Sequence, residues 1–366
     1  MKKVYSACTT AAVICLVLTF VLSFIEDFST AAPALAMFFI FLAVGVRGYR
    51  HFRGFSFTLG IFAAVTLAMT FPQFFVNWGS FELKTLIVPL LQIIMFGMGT
   101  AMSLSDFSGV VKMPKGVLVG LLCQFTIMPL VGYSLAKGMN FPAEIAAGVV
   151  LVGSSPSGLA SNVMAYIARA NLALSVTLTA VATMLAPLMT PLLMKWLAGA
   201  FVPVDFWGMM WSITKIVIIP VVAGLIVNRI FRQHVQFLNR IMPMVSMAGI
   251  GFIIMIITAA GRDSLLEIGA LLVLACLIHN LAGYLLGYWG CRLTGMDEQT
   301  CRTVALEVGL QNGGLASGIA LTMGKVATVG LAPAVFGPLM NITGSSLAAR
   351  WREKTGSSEV KTDLVG

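Results

Sequence analysis

In residues 301–318, CRTVALEVGLQNGGLASG, an apolar stretch is interrupted by one carboxylate (Glu307), two amides (Gln311 and Asn312) and four glycines (Gly309, Gly313, Gly314 and Gly318). Hydrophobic runs flank the stretch, which places it at membrane depth. A carboxylate at a bilayer centre costs at least about 2.5–3.5 kcal/mol, so it marks a functional site. Of the 14 acidic residues, only Glu307 lies deep in such a run. Other oxygens accompany it at the same depth. Ser161 and Asn162 directly follow the Pro156–Gly158 interruption, Ser175 and Thr179 stand one helical turn apart, and Gln124 sits alone in GLLCQFTIMPL. Glu307 and Gln311 are also spaced i,i+4 and share a helix face unless a break intervenes. Neutral oxygens with a single negative charge suit a monovalent hard cation, because a divalent ion usually takes more carboxylates. Each group also has a purely structural use. The Ser175 and Thr179 hydroxyls can bond back to helix carbonyls, Gln124 can bridge helices, and Glu307 can be buried as a neutral carboxyl. His279 and Asn280, in LIHNLAGY, read as a satisfied pair within one helix, and Lys215 as a snorkelling side chain.

These groups need elements that cross a membrane. The chain has 366 residues, 58% hydrophobic and 10% charged, with a mean hydropathy of +0.95. A soluble domain carries about 25% charged residues. Hydropathy places twelve spans at about 4–24, 31–47, 55–77, 85–104, 116–136, 143–167, 172–198, 206–228, 240–260, 267–290, 300–322 and 328–349. The first opens like a signal peptide but is too long for one, and it reads as a retained helix. With the N-terminus in the cytoplasm, every Lys and Arg falls on the cytoplasmic side except Lys84, Lys137, Lys195, Lys215, Arg262 and Lys325. This asymmetry predicts both termini inside. The net charge of +9 and the basic loop 45–54 are explained by the same rule. They do not call for a nucleic-acid partner, and the loop suits contact with anionic lipid headgroups. The six cysteines show no metal-type spacing.

The chain also carries an internal echo. Gly158-Leu159-Ala160-Ser161 recurs as Gly314-Leu315-Ala316-Ser317, each copy in a polar, Gly- or Pro-interrupted span. These are the sixth and eleventh spans, an odd number apart, so they cross in opposite directions. An inverted repeat of five helices follows, covering spans three to seven and eight to twelve, with spans one and two as an addition. Broken segments at matching places in two halves are the best sequence pointer to a transporter site. Their half-helix N-termini suit anions, and their freed carbonyls suit hard cations.

At these residues the sequence resembles the bile acid:sodium symporter family, as a bacterial member with two additional N-terminal helices. The matching stretches are SGLASNVMAYIARANLALSVTLTAV (157–181), ALEVGLQNGGLA (305–316), IIMFGMGTAMSLSDF (93–107), CQFTIMPL (123–130) and NITGSSLA (341–348). The resemblance implies an all-α fold of ten helices in two inverted repeats, with two crossing broken helices, or about twelve helices in this chain. Residues 1–54 would be the additional helices and 55–352 the symporter-like domain. Its panel would cover about 55–110 and 205–262, and its core about 111–204 and 263–352. Residues 353–366 would be a cytoplasmic tail. Two sodium sites are implied. The first uses Ser161, Asn162, Ser175, Thr179 and Glu307. The second uses Gln124, Glu307, Gln311 and the backbone carbonyls of Val308 and Leu310. The substrate would meet Leu159, Asn162, Asn312, Met340 and Asn341. Leu159 stands where the family often has threonine, and Met340 where relatives can carry a polar residue. Both make the pocket less polar. Bacterial members of the family carry small organic anions, and animal members carry bile acids.

Three functional readings follow. The first is a sodium-coupled symporter of a small organic anion in the inner membrane, working by alternating access, with no organic cofactor and no nucleic-acid partner. The second uses protons, with Glu307 cycling between charged and neutral, which leaves the oxygens of spans six and seven without a task. The third is an intramembrane hydrolase with Ser157 or Ser161 as nucleophile and His279 as base.

Overall fold

The structure, a computed structural model, describes residues 2–25, 28–49, 53–231 and 235–363. Arg50, Arg232 and residues 364–366 lie outside the described residues, as do the side chains of Lys2, Arg53, Lys354 and Lys361. The chain is almost wholly helical. The N-terminal helices α1 (Lys2–Ile25) and α2 (Phe28–Gly45) form a hairpin leaning on α3 (Ser56–Thr70). Then follow α4 (Gln73–Val76), α5 (Ile87–Ala101), α6 (Gly109–Lys112), α7 (Pro114–Gly138), α8 (Ala143–Ser154), α9 (Leu159–Ile167) and α10 (Leu172–Leu197). The remainder comprises α11 (Phe206–Ile213), α12 (Ile219–Ile230), α13 (Val235–Ala260), α14 (Arg262–Arg292), α15 (Glu298–Gly309), α16 (Gly313–Thr322) and α17 (Leu331–Asp363).

Eight described helices are long and apolar enough to cross a membrane, and three shorter apolar helices are Ser56–Thr70, Ala143–Ser154 and Gly313–Thr322. The expected sixth span is divided into α8 and α9, and the eleventh into α15 and α16. The third ends early, at Thr70 rather than residue 77. Pro72 pushes Phe71 off the helical region (φ −124°, ψ 57°). The chain then turns through α4 into a two-residue hairpin, β1 (Asn77–Trp78) with β2 (Phe81–Glu82). A π-helical turn at Thr214–Ile218 joins α11 to α12. There the Lys215 ammonium lies 5.1 Å from the Trp211 ring centroid, so an aromatic face receives the charge.

Two packing groups emerge. In one, α5 packs on α12 and α13, and α3 packs on α13. In the other, α7 packs on α8 and α14, α14 on α15 and α17, and α10 on α7, α8, α9 and α15. Helix α1 is peripheral: 11% of its apolar window is buried, against 50% for α5, α7 and α10. With lipid tails as apolar as leucine, helices here gain from close backbone approach rather than from a hydrophobic drive. The α5–α12 contact shows this. A Cβ at Gly99 would stand 2.1 Å from the Val221 carbonyl oxygen, and one at Gly224 would stand 2.3 Å from that of Phe96. Overpacking usually costs about 1–3 kcal/mol, and here backbone is the obstacle. Gly99→Val should therefore lose the monodisperse peak in gel filtration, while Gly199→Ala, where a Cβ meets nothing within 4 Å, keeps it. An unchanged peak and melting temperature for Gly99→Val would show that α5 and α12 are not held this closely.

Candidate functional site

The site is built where α8–α9 and α15–α16 break and cross. Helix α8 stops at Ser154 and α15 at Gly309, and each chain runs extended for a few residues before its second half begins. The extended pieces meet as an antiparallel bridge, Ser157 opposite Gln311. Gly158 N donates to Leu310 O at 3.3 Å, and Asn312 N to Pro156 O at 2.8 Å. Side chains take three further carbonyls, groups that lipid could not satisfy. Thr190 Oγ1 donates to Ser154 O (2.8 Å), Gln124 Nε2 to Ser155 O (3.0 Å), and Asn280 Nδ2 to Gly309 O (2.8 Å). The second halves start at Leu159 and Gly313, behind Gly158 and Asn312 as N-caps. The structural counterpart of Gly158 is thus Asn312 and not Gly314, so the repeated Gly-Leu-Ala-Ser tetrad is two residues out of register with the fold.

On one side of the crossing lies an oxygen cluster. Glu307, on α15, accepts from Ser157 Oγ at 2.6 Å through Oε2 and from Ser175 Oγ at 2.5 Å through Oε1. Thr179 Oγ1 lies 3.2 and 3.0 Å from Oε1 and Oε2. Asn162 Oδ1 is 2.9 Å from Ser175 Oγ and 3.2 Å from Thr179 Oγ1. Ser161 Oγ donates to Gly158 O at 2.7 Å and lies 3.2 Å from Thr179 Oγ1. The five residues expected for the first cation site are therefore assembled from α9, α10 and α15. Among the described residues, neither the Ser175 nor the Thr179 hydroxyl bonds back to a helix carbonyl. Ser157 joins them; sequence reasoning considered it only as a nucleophile, and its place beside Pro156 in the break was the available signal. The cluster is rich in acceptors. The Glu307 carboxylate and Asn162 Oδ1 present three acceptor oxygens, while Ser161 spends its proton on Gly158 O. Only the protons of Ser157, Ser175 and Thr179 remain for all the other contacts. Glu307 is 2% exposed, and among the described residues no Lys, Arg or His forms an ion pair with it. A buried carboxylate with surplus acceptors and no basic partner fits a hard monovalent cation. No group of three His, Cys, Asp or Glu among the described residues could hold a metal ion.

The second expected site is brought together in part. Gln124 Nε2 donates to Gln311 Oε1 at 2.9 Å, and Gln311 Nε2 to Val308 O at 2.5 Å. Leu310 O accepts from Gly158. Both Glu307 oxygens are engaged by the hydroxyl cluster, and neither by these amides. One buried oxygen here, Gln124 Oε1, has no hydrogen-bond partner, which leaves an acceptor for a cation.

On the other side of the crossing is a cavity of about 290 Å3. Leu159, Asn312, Met340 and Asn341 line it, as expected, but Asn162 does not, because its amide is held among the hydroxyls. Asn312 Oδ1 caps α16 by accepting from Leu315 N at 3.0 Å, and among the described residues Asn312 Nδ2 makes no hydrogen bond. The opposite wall comes from α5 and α13, through Met95, Met98, Ile250 and Ile253; Met95 and Met98 lie in the family-matching stretch 93–107, but none of the four was singled out as a substrate contact. Among the described residues, no ionisable side chain lines the cavity. Its positive potential comes from the N-termini of α9 and α16.

His279 and Asn280 are not the pair within one helix that was expected. His279 Nε2 bonds the Met128 carbonyl at 2.9 Å, across to α7, while Asn280 joins α15 to α17 through Gly309 O and Thr343 Oγ1 (2.5 Å). The reason is depth, since carbonyls freed or crowded by neighbouring helices are the partners on offer. The hydrolase reading fails here: Ser157 gives its proton to Glu307, Ser161 to Gly158, and among the described residues no serine engages His279.

The chain is also similar in sequence to known proteins. The sequence profile of the Sodium Bile acid symporter family matches residues 88–268. The chain is 40% identical over 310 residues to the uncharacterized sodium-dependent transporter YocS of Bacillus subtilis, covering 84% of this chain and 94% of that one. It is 38% identical over 263 residues to the probable sodium/metabolite cotransporter BASS1, chloroplastic, of Arabidopsis thaliana, covering 72% and 65%. It is 34% identical over 252 residues to the human ileal sodium/bile acid cotransporter, covering 67% and 71%. These matches, with the helical membrane fold, establish a membrane transporter rather than an enzyme, and the chain belongs to the sodium/bile acid symporter family.

Proposed function

We propose that this protein is a sodium-coupled symporter of a small organic anion, working by alternating access in the inner membrane of a bacterial cell with both termini cytoplasmic. The observation that carries the reading is the Glu307 cluster, a buried carboxylate among Ser157, Ser161, Asn162, Ser175 and Thr179 with no basic residue paired to it. A sodium ion supplies the missing positive charge and receives the surplus lone pairs. It also ties α9, α10 and α15 together, so binding favours one arrangement of the crossing. Asn162 and Leu159 sit on the same short helix, α9. The helix that holds the cation therefore also presents its N-terminus to the anion cavity. Coupling follows from that shared element, because each ligand steadies what the other needs. The two halves, read as an inverted repeat, and the α3–α5–α12–α13 group, read as a panel, give the moving parts. Gln124, Gln311, Val308 and Leu310 are proposed as a second sodium site, with Gln124 Oε1 as the acceptor in waiting.

The cavity favours an anion whose charge is compact and whose body is apolar. Helix N-termini contribute about 0.3–1 kcal/mol each, more when partly buried, and Asn312 adds an amide donor. Leu159, Met340 and the methionines and isoleucines of α5 and α13 offer no polar partner to the remainder of the molecule, and Ser246 is the one polar side chain that α13 contributes.

Three outcomes are expected in proteoliposomes assayed across a panel of organic anions. Uptake should require an inward sodium gradient and vanish in Glu307→Gln. Uptake that persists with sodium replaced by choline, driven by a pH gradient, would assign coupling to protons instead. Ser175→Ala and Thr179→Ala should each raise the sodium concentration for half-maximal uptake about tenfold, the equivalent of about 1.4 kcal/mol. Unchanged sodium dependence in both would remove these hydroxyls from the cation site. Leu159→Thr should shift the order of preferred anions and leave half-maximal sodium unchanged, since Leu159 lines the cavity and not the cluster. A shift in sodium alone would contradict that division.

A further inference from the structure

A second cavity, of about 590 Å3, lies outside the crossing, between the N-terminal hairpin and the α3–α13 pair. Helix α2 contributes Ile40, Ala43 and Val44, α3 contributes residues from Ser56 to Ala64, and α13 contributes residues from Met247 to Met255. Among the described residues the walls are apolar with one exception, the end formed by Arg47 and Ser56. There Arg47 Nε donates to Ser56 Oγ at 2.9 Å, and Ser56 Oγ donates to the Ala43 carbonyl at 2.7 Å. This chain of bonds fixes a guanidinium at one end of an apolar trough. Among the described residues, no Asp or Glu lines the cavity. In sequence, the connection from α2 to α3 carries Arg47, Arg50 and Arg53 within seven residues and no acid.

We propose that this trough is a binding site for an anionic phospholipid of the surrounding bilayer, with its headgroup phosphate at Arg47 and an acyl chain along α2, α3 and α13. A guanidinium matches phosphate oxygens in geometry as well as in charge. Clustered basic residues beside a membrane helix draw anionic lipids in preference to zwitterionic ones. The apolar length beyond Arg47 accepts a hydrocarbon chain and offers nothing to a small hydrophilic anion. The site requires α2, which gives the N-terminal hairpin a function. It also touches the transport cavity, because Phe57, Ile61 and Met247 line both. A chain seated in the trough presses on the wall that faces the transported anion.

The test uses the full-length protein in detergent, observed by native mass spectrometry with phosphatidylglycerol or phosphatidylcholine of identical chains. Phosphatidylglycerol should remain bound at energies that strip phosphatidylcholine, with at least a tenfold difference in adduct population. Gly60→Phe should reduce the phosphatidylglycerol adduct at least fivefold by filling the trough. A Cβ at Gly60 meets no atom within 4 Å, so this variant should keep the wild-type melting temperature. Arg47→Gln should reduce the adduct to a similar extent. Inorganic phosphate in excess should leave it intact. Equal retention of the two lipids, an undiminished adduct in Gly60→Phe, or displacement by inorganic phosphate would each overturn the proposal.

Discussion

Backbone groups released inside a membrane must find partners within the protein, and the rest of this structure follows from that requirement. Two helices break at mid-depth, and each break frees carbonyls and amides that lipid cannot satisfy. Gly158 and Asn312 donate across the crossing to Leu310 and Pro156. Thr190, Gln124 and Asn280 reach in from α10, α7 and α14 to take the carbonyls of Ser154, Ser155 and Gly309. Polar residues that looked scattered along the sequence are thus the means by which unbroken helices support the broken ones. The arrangement also explains why those helices pack as one group: each contributes a side chain that the crossing needs.

The crossing separates two chemistries a short distance apart. On one side are a carboxylate and hydroxyls, acceptor-rich and wholly buried. On the other is an apolar cavity facing two helix N-termini, where positive potential comes from backbone and not from any lysine or arginine. In the proposed function, cation and anion would meet opposite faces of the same local design: side-chain oxygens on one, helix N-termini on the other. Helix α9 belongs to both, since its first residue lines the cavity and its third and fourth enter the oxygen cluster. A nine-residue helix shared in this way is the shortest physical link between the two faces.

The sequence by itself determined the membrane class, because 58% hydrophobic content and long apolar runs permit nothing soluble. It also singled out the polar residues that the structure gathers into one cluster. Glu307, Ser161, Asn162, Ser175 and Thr179 are costly at that depth, and cost is legible without coordinates. The tertiary structure decided what they touch. Ser157 passed as a possible nucleophile until the crossing placed it 2.6 Å from Glu307, a contact between residues 150 apart that no local spacing encodes. The repeated tetrad drew attention to the right two spans but in the wrong register, since helix starts are set by N-caps and bridge pairing rather than by matching letters. The third span overran in sequence because Phe71 and Phe74 to Val76 continue the apolar run, whereas Pro72 ends the helix. His279 and Asn280 looked like neighbours serving each other, yet each serves a different helix. Membrane insertion energies act on each residue according to its depth, so one chain suffices to read them. Hydrogen bonding and close packing act between residues far apart in the chain, so only the folded arrangement reveals them.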